Sequence, residues 1–181
     1  SERSREAVVD ALLDLYEQGE VRPRAAEVAA RAGVSERSVF RHFDDMEALA
    51  AAAIERHWAR VEPWFAAPDR SGDLHERIAA LVAQRVTLHE RVMFVARAGA
   101  IIAASSPTVT AGLAERRTLL GRQVTHHFAH ELAPLDRATR IEVARCLDAG
   151  LSLEAVEFLR GASGLSRTAT VAALTRTATA L

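Results

Sequence analysis

The stretch Val28-Ala29-Ala30-Arg31-Ala32-Gly33-Val34-Ser35-Glu36-Arg37-Ser38-Val39-Phe40-Arg41-His42-Phe43 decides how this chain is read. It divides at Gly33, the residue type that takes the positive φ at which many helices end. A short helix is expected from about Arg24 to Ala32. Ser35 then stands as the N-cap of another, Glu36 to His42. Two short helices joined by a tight glycine-containing turn make a helix-turn-helix. Ala29 is small enough for the helices to approach, and Val34 fills the space between them. Val39 and Phe43, one helical turn apart, set one face of the later helix on the core. Arg37 and Arg41 share another face, beside Ser38 and His42. Guanidinium groups suit guanine edges and phosphates, and small hydroxyls permit close approach, so this face has the chemistry of a recognition helix.

Outward from this segment the periodicity stays helical, with no alternating strand pattern. A first helix is expected from about Ser4 to Glu17, with Val8, Ala11, Leu12 and Leu15 on one face, ended by Gly19 and Pro23. Asp44, followed by Glu47, resembles a capping box and would open a fourth helix reaching about Phe65. After the loop Pro68 to Gly72, helical pattern resumes from Asp73 to about Ala104. Ser106 and Pro107 form a cap and first position for a helix to about Leu132. Pro134 separates it from one at Asp136 to Arg160. Gly161 and Gly164 then break the chain, and Ser166 caps a last helix. The expected fold is all-α, with a three-helix head in residues 1–60 and a helical body in residues 61–181.

Composition narrows the function classes. The 181 residues are 49% hydrophobic and 26% charged, enough for a real core and unlike a disordered chain. Cys146 is the only cysteine, which excludes an intrachain disulfide. Its apolar neighbours read it as a small buried residue. The longest apolar runs, Ala48–Ile54 and Ala98–Ala104, fall far short of a bilayer span, and no signal-peptide pattern opens the chain. A cytoplasmic protein without a membrane partner is expected. The net charge of −1 hides an asymmetry: residues 1–21 carry −4, and residues 22–42 carry +3 through Arg22, Arg24, Arg31, Arg37 and Arg41. A local basic stripe is enough for phosphate contact, because counterion release follows local pairing. Every strong cation is arginine, a bias attributed to genome composition.

From Val28 to Leu49 the order of residues resembles the signature of the TetR family of transcriptional regulators. The matching pieces are Ala32-Gly33-Val34-Ser35, Phe40-Arg41-His42-Phe43 and Asp44-Asp45-Met46-Glu47-Ala48-Leu49. The resemblance extends to total length and N-terminal placement, and beyond about residue 55 it is architectural only. It implies that Arg37, Ser38, Phe40 and His42 touch DNA, that Ser35 caps the recognition helix near phosphate, and that Arg24 and Arg41 add contacts. Some positions depart from the pattern. Phe40 lacks the hydroxyl of the usual tyrosine, Met46 replaces a common lysine, and Glu36 replaces a residue that is often basic.

The remaining chain offers no nucleophile–base pair, so an enzyme is not expected. Glu154 and Glu157 read as a solvated face. His126 and His130 have a spacing that can hold zinc but lack a complete ligand set, so neither metal nor cofactor is expected. The run Met93, Phe94, Val95, Ala98, Ile101, Ile102 is apolar on more than one face. By resemblance, the middle helices enclose a cavity for a small hydrophobic effector, with Trp64, Phe94 and Phe128 in its lining. Apolar stripes near the C-terminus, including Leu147, Leu151, Phe158, Val171 and Leu174, exceed what one core needs. By resemblance they form a homodimer interface. The expected function is a repressor released by its effector from a palindromic operator in double-stranded DNA. The alternative is a helical ligand-binding or adaptor protein that has lost DNA affinity.

Overall fold

The acidic start of the chain and the arginines that follow it explain each other. The computed structural model describes residues 1–181 and contains helices without strands. Helix α1 (Glu2–Glu17) buries Val8, Val9, Ala11, Leu12, Leu13 and Tyr16. Its exposed edge meets two later helices, α2 (Ala25–Ala32) and α4 (Met46–Val61). Asp14 pairs with Arg31 of α2 at 3.2 Å. Asp10 pairs with Arg56 and Arg60 of α4 at 3.3 and 2.8 Å. Such half-exposed pairs contribute little stability each, but they fix which faces meet. Between α2 and α4 lies α3 (Glu36–His42), anchored by buried Val39 and followed by buried Phe43.

Helix ends follow local chemistry. Gly33 closes α2 with φ +66, the left-handed conformation that favours glycine. The start of α4 differs from the expected box at Asp44. Asp45 is the cap, and its carboxylate accepts the Ala48 N–H at 2.7 Å. The signal lay one residue later because the acceptor must reach the third residue of the helix, which is Ala48. Asp45→Ala should therefore cost about 1 kcal/mol, and Asp44→Ala less than about 0.5 kcal/mol. Denaturant midpoints of the two variants check this ranking; equal losses would contradict it.

Beyond α4 a 3₁₀ turn covers Glu62–Phe65, then α5 runs unbroken over Leu74–Ile102. Helix α6 is Pro107–His127, shorter than expected, with Phe128 separating it from α7 (Ala129–Leu132). The expected helix to Arg160 is likewise divided. Helix α8 (Arg137–Gly150) stops at Leu151, and Ser152 caps α9 (Leu153–Glu157) by accepting from Ala155. A π turn follows at Phe158–Ala162. Helix α10 (Arg167–Thr179) begins at Ser166, the expected cap.

The chain forms two compact units. One comprises Ser1–Glu62 with Val92–Ala114; the other comprises Pro63–Arg91 with Glu115–Leu181. The second has its own core, built from Ile78, Leu81, Val82 and Val86 of α5 together with Val124, Phe128, Leu147, Leu151 and Leu174. Cys146, expected inside, is exposed. Leu147 and Leu151 define the buried side of α8, and a residue one step before Leu147 is rotated by about 100° away from it.

Polar groups also enter this second core. His127 is buried, and its Nε2–H donates to the Arg77 carbonyl at 3.0 Å while Nδ1 is buried without a partner. Burial, reinforced by the nearby charges of Arg77, Arg70 and Arg85, holds its pKa below the usual histidine value. A base with a lowered folded pKa is protonated first in the unfolded chain. This part of the stability is therefore full above the unfolded pKa of about 6.5 and declines as the pH falls below it. His127→Gln should flatten that decline in unfolding midpoints followed from neutral to mildly acidic pH. Parallel curves for variant and parent would show that His127 is not the group responsible.

Candidate nucleic-acid interface

Helix α3 is held from one side and free on the other. Val39 is 1% exposed and Phe43 6%. The guanidinium of Arg5 lies over the Phe43 ring, 4.9 Å from its centroid, and tethers the end of α3 to α1. At the other end, Ser35 Oγ accepts the Ser38 N–H at 3.2 Å and lies 3.0 Å from Ser38 Oγ. Both hydroxyls are thus oriented before any ligand arrives. The helix N-terminus adds a positive partial charge at this point, which favours an anion.

The exposed side carries Arg37 and Arg41, and no ion pair or hydrogen bond within the chain occupies either guanidinium. Phe40 stands between them with 46% of its surface exposed. An exposed aromatic ring beside two unoccupied guanidinium groups offers an apolar contact, such as a thymine methyl, next to two charged donors. Glu36 is also exposed, on the first turn of the helix.

The basic stripe read from the sequence is narrower in the structure. Arg24 is engaged with Glu27 at 3.1 Å, while its N–H donates to the same carboxylate at 2.6 Å, forming the box that opens α2. A phosphate contact by Arg24 would compete with that pairing. Arg31 is taken up by Asp14. The backbone N–H of Arg22 donates to Glu20. Of the five arginines in residues 22–42, Arg22, Arg37 and Arg41 keep a guanidinium with no partner in the chain, and two of these three stand on α3. His42 is half-buried, and its Nε2 is enclosed without a partner. Burial above all, with Arg41 and Arg5 nearby, keeps its pKa below the usual value. At neutral pH His42 is an uncharged neighbour of the exposed face, not a third cation.

The other residues singled out in the sequence are placed as follows. Trp64 is at the surface of the second unit, with the Arg91 guanidinium stacked 3.9 Å from its ring centroid. Phe128 is buried in that unit's core. Phe94 belongs to the first unit and meets the His57 ring edge-on at 5.0 Å. Among the residues assigned to a dimer interface, Leu147, Leu151 and Leu174 are buried in the second unit's own core, and Val171 packs against it. A side chain already covered by its own chain has little surface left for a partner. Phe158, 63% exposed, is the member of that group available for contact, and Ile141 of α8, 43% exposed, was not singled out. Its signal was weak because it lies outside the buried stripe and looks like an isolated apolar residue.

Comparison with known proteins finds one family model and several solved structures that resemble this chain. Residues 16–53, from the end of α1 into α4, match the family model for bacterial regulatory proteins of the tetR family. A transcriptional regulator from Rhodococcus superposes with a TM-score of 0.71 at 20% identity, over 99% of this chain and 94% of its own. A transcriptional regulator from Streptomyces coelicolor gives 0.62 at 26% identity, over 98% and 99% of the two chains. A tetR-family transcriptional regulator from the same organism gives 0.71 at 22%, over 98% of this chain and 78% of its own. No curated protein matches the chain. The shared fold is the all-helical one of transcriptional regulators, and no helix is long and apolar enough to cross a membrane.

Proposed function

We propose, taking this chain as a member of the TetR family of bacterial regulatory proteins, that it is a DNA-binding repressor whose α3 enters the major groove. The observation that supports this is the free face of α3, where Arg37 and Arg41 have no partner in the chain while Val39 and Phe43 hold the opposite side. In this reading Arg37 and Arg41 address guanine edges, Phe40 makes an apolar contact, and Ser35 and Ser38 approach phosphate with the helix N-terminus. Arg24 joins them only by giving up Glu27, and His42 contacts DNA as a neutral group.

Residues 1–60 would carry DNA recognition and residues 61–181 effector binding and dimerisation. A twofold pair of chains would present two α3 helices to successive major grooves of a palindromic operator. Exposed Phe158 and Ile141 are apolar groups suited to that pairing. A small hydrophobic effector that binds one arrangement of the two heads better than the other would shift the population away from the DNA-competent state.

Titration of duplex DNA at increasing salt tests the core of this reading. Affinity should fall linearly on a log–log plot, with a slope of about −0.9 for each phosphate neutralised. Absence of duplex binding at low salt would favour the adaptor alternative instead.

A further inference from the structure

Within the unit that carries α3 there is a cleft whose lining includes none of Ser35, Arg37, Ser38, Phe40 and Arg41. It has a volume of about 220 Å³ and is lined by Leu12 and Tyr16 of α1, Met46 and Glu47 of α4, Ile102 at the end of α5, and Arg22. Its walls are mainly apolar. Tyr16 is 2% exposed, and its hydroxyl has no hydrogen-bond partner in the chain. Tyr16 lines the cleft, so its hydroxyl is available to bond a ligand that enters. The two charged residues of the lining, Arg22 and Glu47, are of opposite sign, so neither a cation nor an anion is favoured overall.

We propose that this cleft is a ligand site for a neutral aromatic molecule of one or two fused rings with a single hydrogen-bonding group. The size argument is direct. Drug-sized sites run to roughly 300–1,000 Å³, while an apolar cavity of about 150 Å³ accepts benzene. A space between these holds one ring with a small extension. The apolar walls take the ring, and the Tyr16 hydroxyl takes its polar group. Burial pushes the Tyr16 pKa up to about 12, so the phenol remains a neutral donor and acceptor throughout the physiological range. None of Trp64, Phe94 and Phe128, the residues expected in an effector cavity, lines this cleft. Because its lining includes the first turn of α4, directly after α3, occupancy would stiffen the support of the recognition helix. That consequence rests on the DNA-binding reading, whereas the site itself does not.

Calorimetric titration of the full chain with indole, and with benzene for comparison, tests the proposal. Indole should bind more tightly than benzene. Tyr16→Phe should weaken indole about tenfold, by removal of one hydrogen bond, and leave benzene unchanged. Ile102→Trp and Met46→Trp, which fill the cleft from different walls, should each abolish binding of both probes. Helical circular dichroism identifies a variant that fails to fold, and the other then carries the test. Undiminished indole binding in a folded, filled variant, or no binding of either probe to the parent chain, overturns the proposal. Duplex titration of the same samples is read separately. A parent chain that binds duplex but neither probe would refute this inference alone, and one that binds indole but no duplex would refute the DNA-binding reading alone.

Discussion

Replacing Arg37 and Arg41 together by alanine is expected to remove sequence-specific DNA binding while leaving the fold as stable as before. A bidentate guanidinium contact to a base contributes about 1–3 kcal/mol of discrimination. Two such contacts set an upper range of roughly 2–6 kcal/mol, reduced if the neighbouring side chains are coupled. Neither guanidinium has a partner within the chain. The stability change should therefore stay within about 0.5 kcal/mol, as for surface positions in general. The separation of these effects makes the test sharp. Dissociation constants for the selected site and for unrelated duplex, measured at one salt concentration, should converge in the double variant while its melting curve stays in place. Arg37→Ala alone should weaken the selected site more than unrelated duplex if it reads a base, and both equally if it holds phosphate.

The second large effect is expected far from α3. Arg85 is 1% exposed in the core of the second unit. Its Nη1 donates to Gln84 and Gln123 at 2.6 and 2.8 Å, and its Nη2 to the Leu120 carbonyl at 3.0 Å. All of these acceptors are neutral. Burial lowers its pKa to about 10, with Asp148 nearby acting in the opposite direction, so the group remains charged at pH 7. Arg85→Ala would remove three hydrogen bonds from the core and open a cavity, at a cost of about 3–5 kcal/mol. For a chain of this size that lowers the melting temperature by roughly 6–20 °C. Arg85→Met should lose less than Arg85→Ala, because it keeps most of the volume and forfeits only the hydrogen bonds. A melting curve for Arg85→Ala that overlays the parent would show that the guanidinium contributes nothing net.

The contrast between α3 and Arg85 shows which features can be read from one sequence. The helix-turn-helix is local: Gly33, Ser35, Val39 and Phe43 lie within a few turns, and each acts on residues close by in the chain. Its ends and its buried face were legible for that reason. Arg85 was not singled out, because its acceptors on Gln123 and Leu120 come from α6, more than thirty residues later. No periodicity in α5 announces them. The paired arginines make the same point. Arg31 counts toward a basic stripe by sequence, but Asp14 of α1 occupies it. The apolar stripe of Leu147, Leu151 and Leu174 was also visible, yet a stripe does not say what covers it, and in the structure its own core does. The division after Gly150 had a signal in Gly150 and Ser152, outweighed by apolar periodicity that continues through it.

The account depends on α3 standing with Arg37 and Arg41 outward so that a pair of such helices reads two half-sites. Selection of bound duplexes from a random pool with the purified chain, followed by sequencing, tests it most directly. The account predicts an inverted repeat whose half-sites are centred about 10 base pairs apart, or a multiple of that, since each must face the same side of the helix. A selected pool with no common motif, enriched only for duplex over single strand, would contradict it.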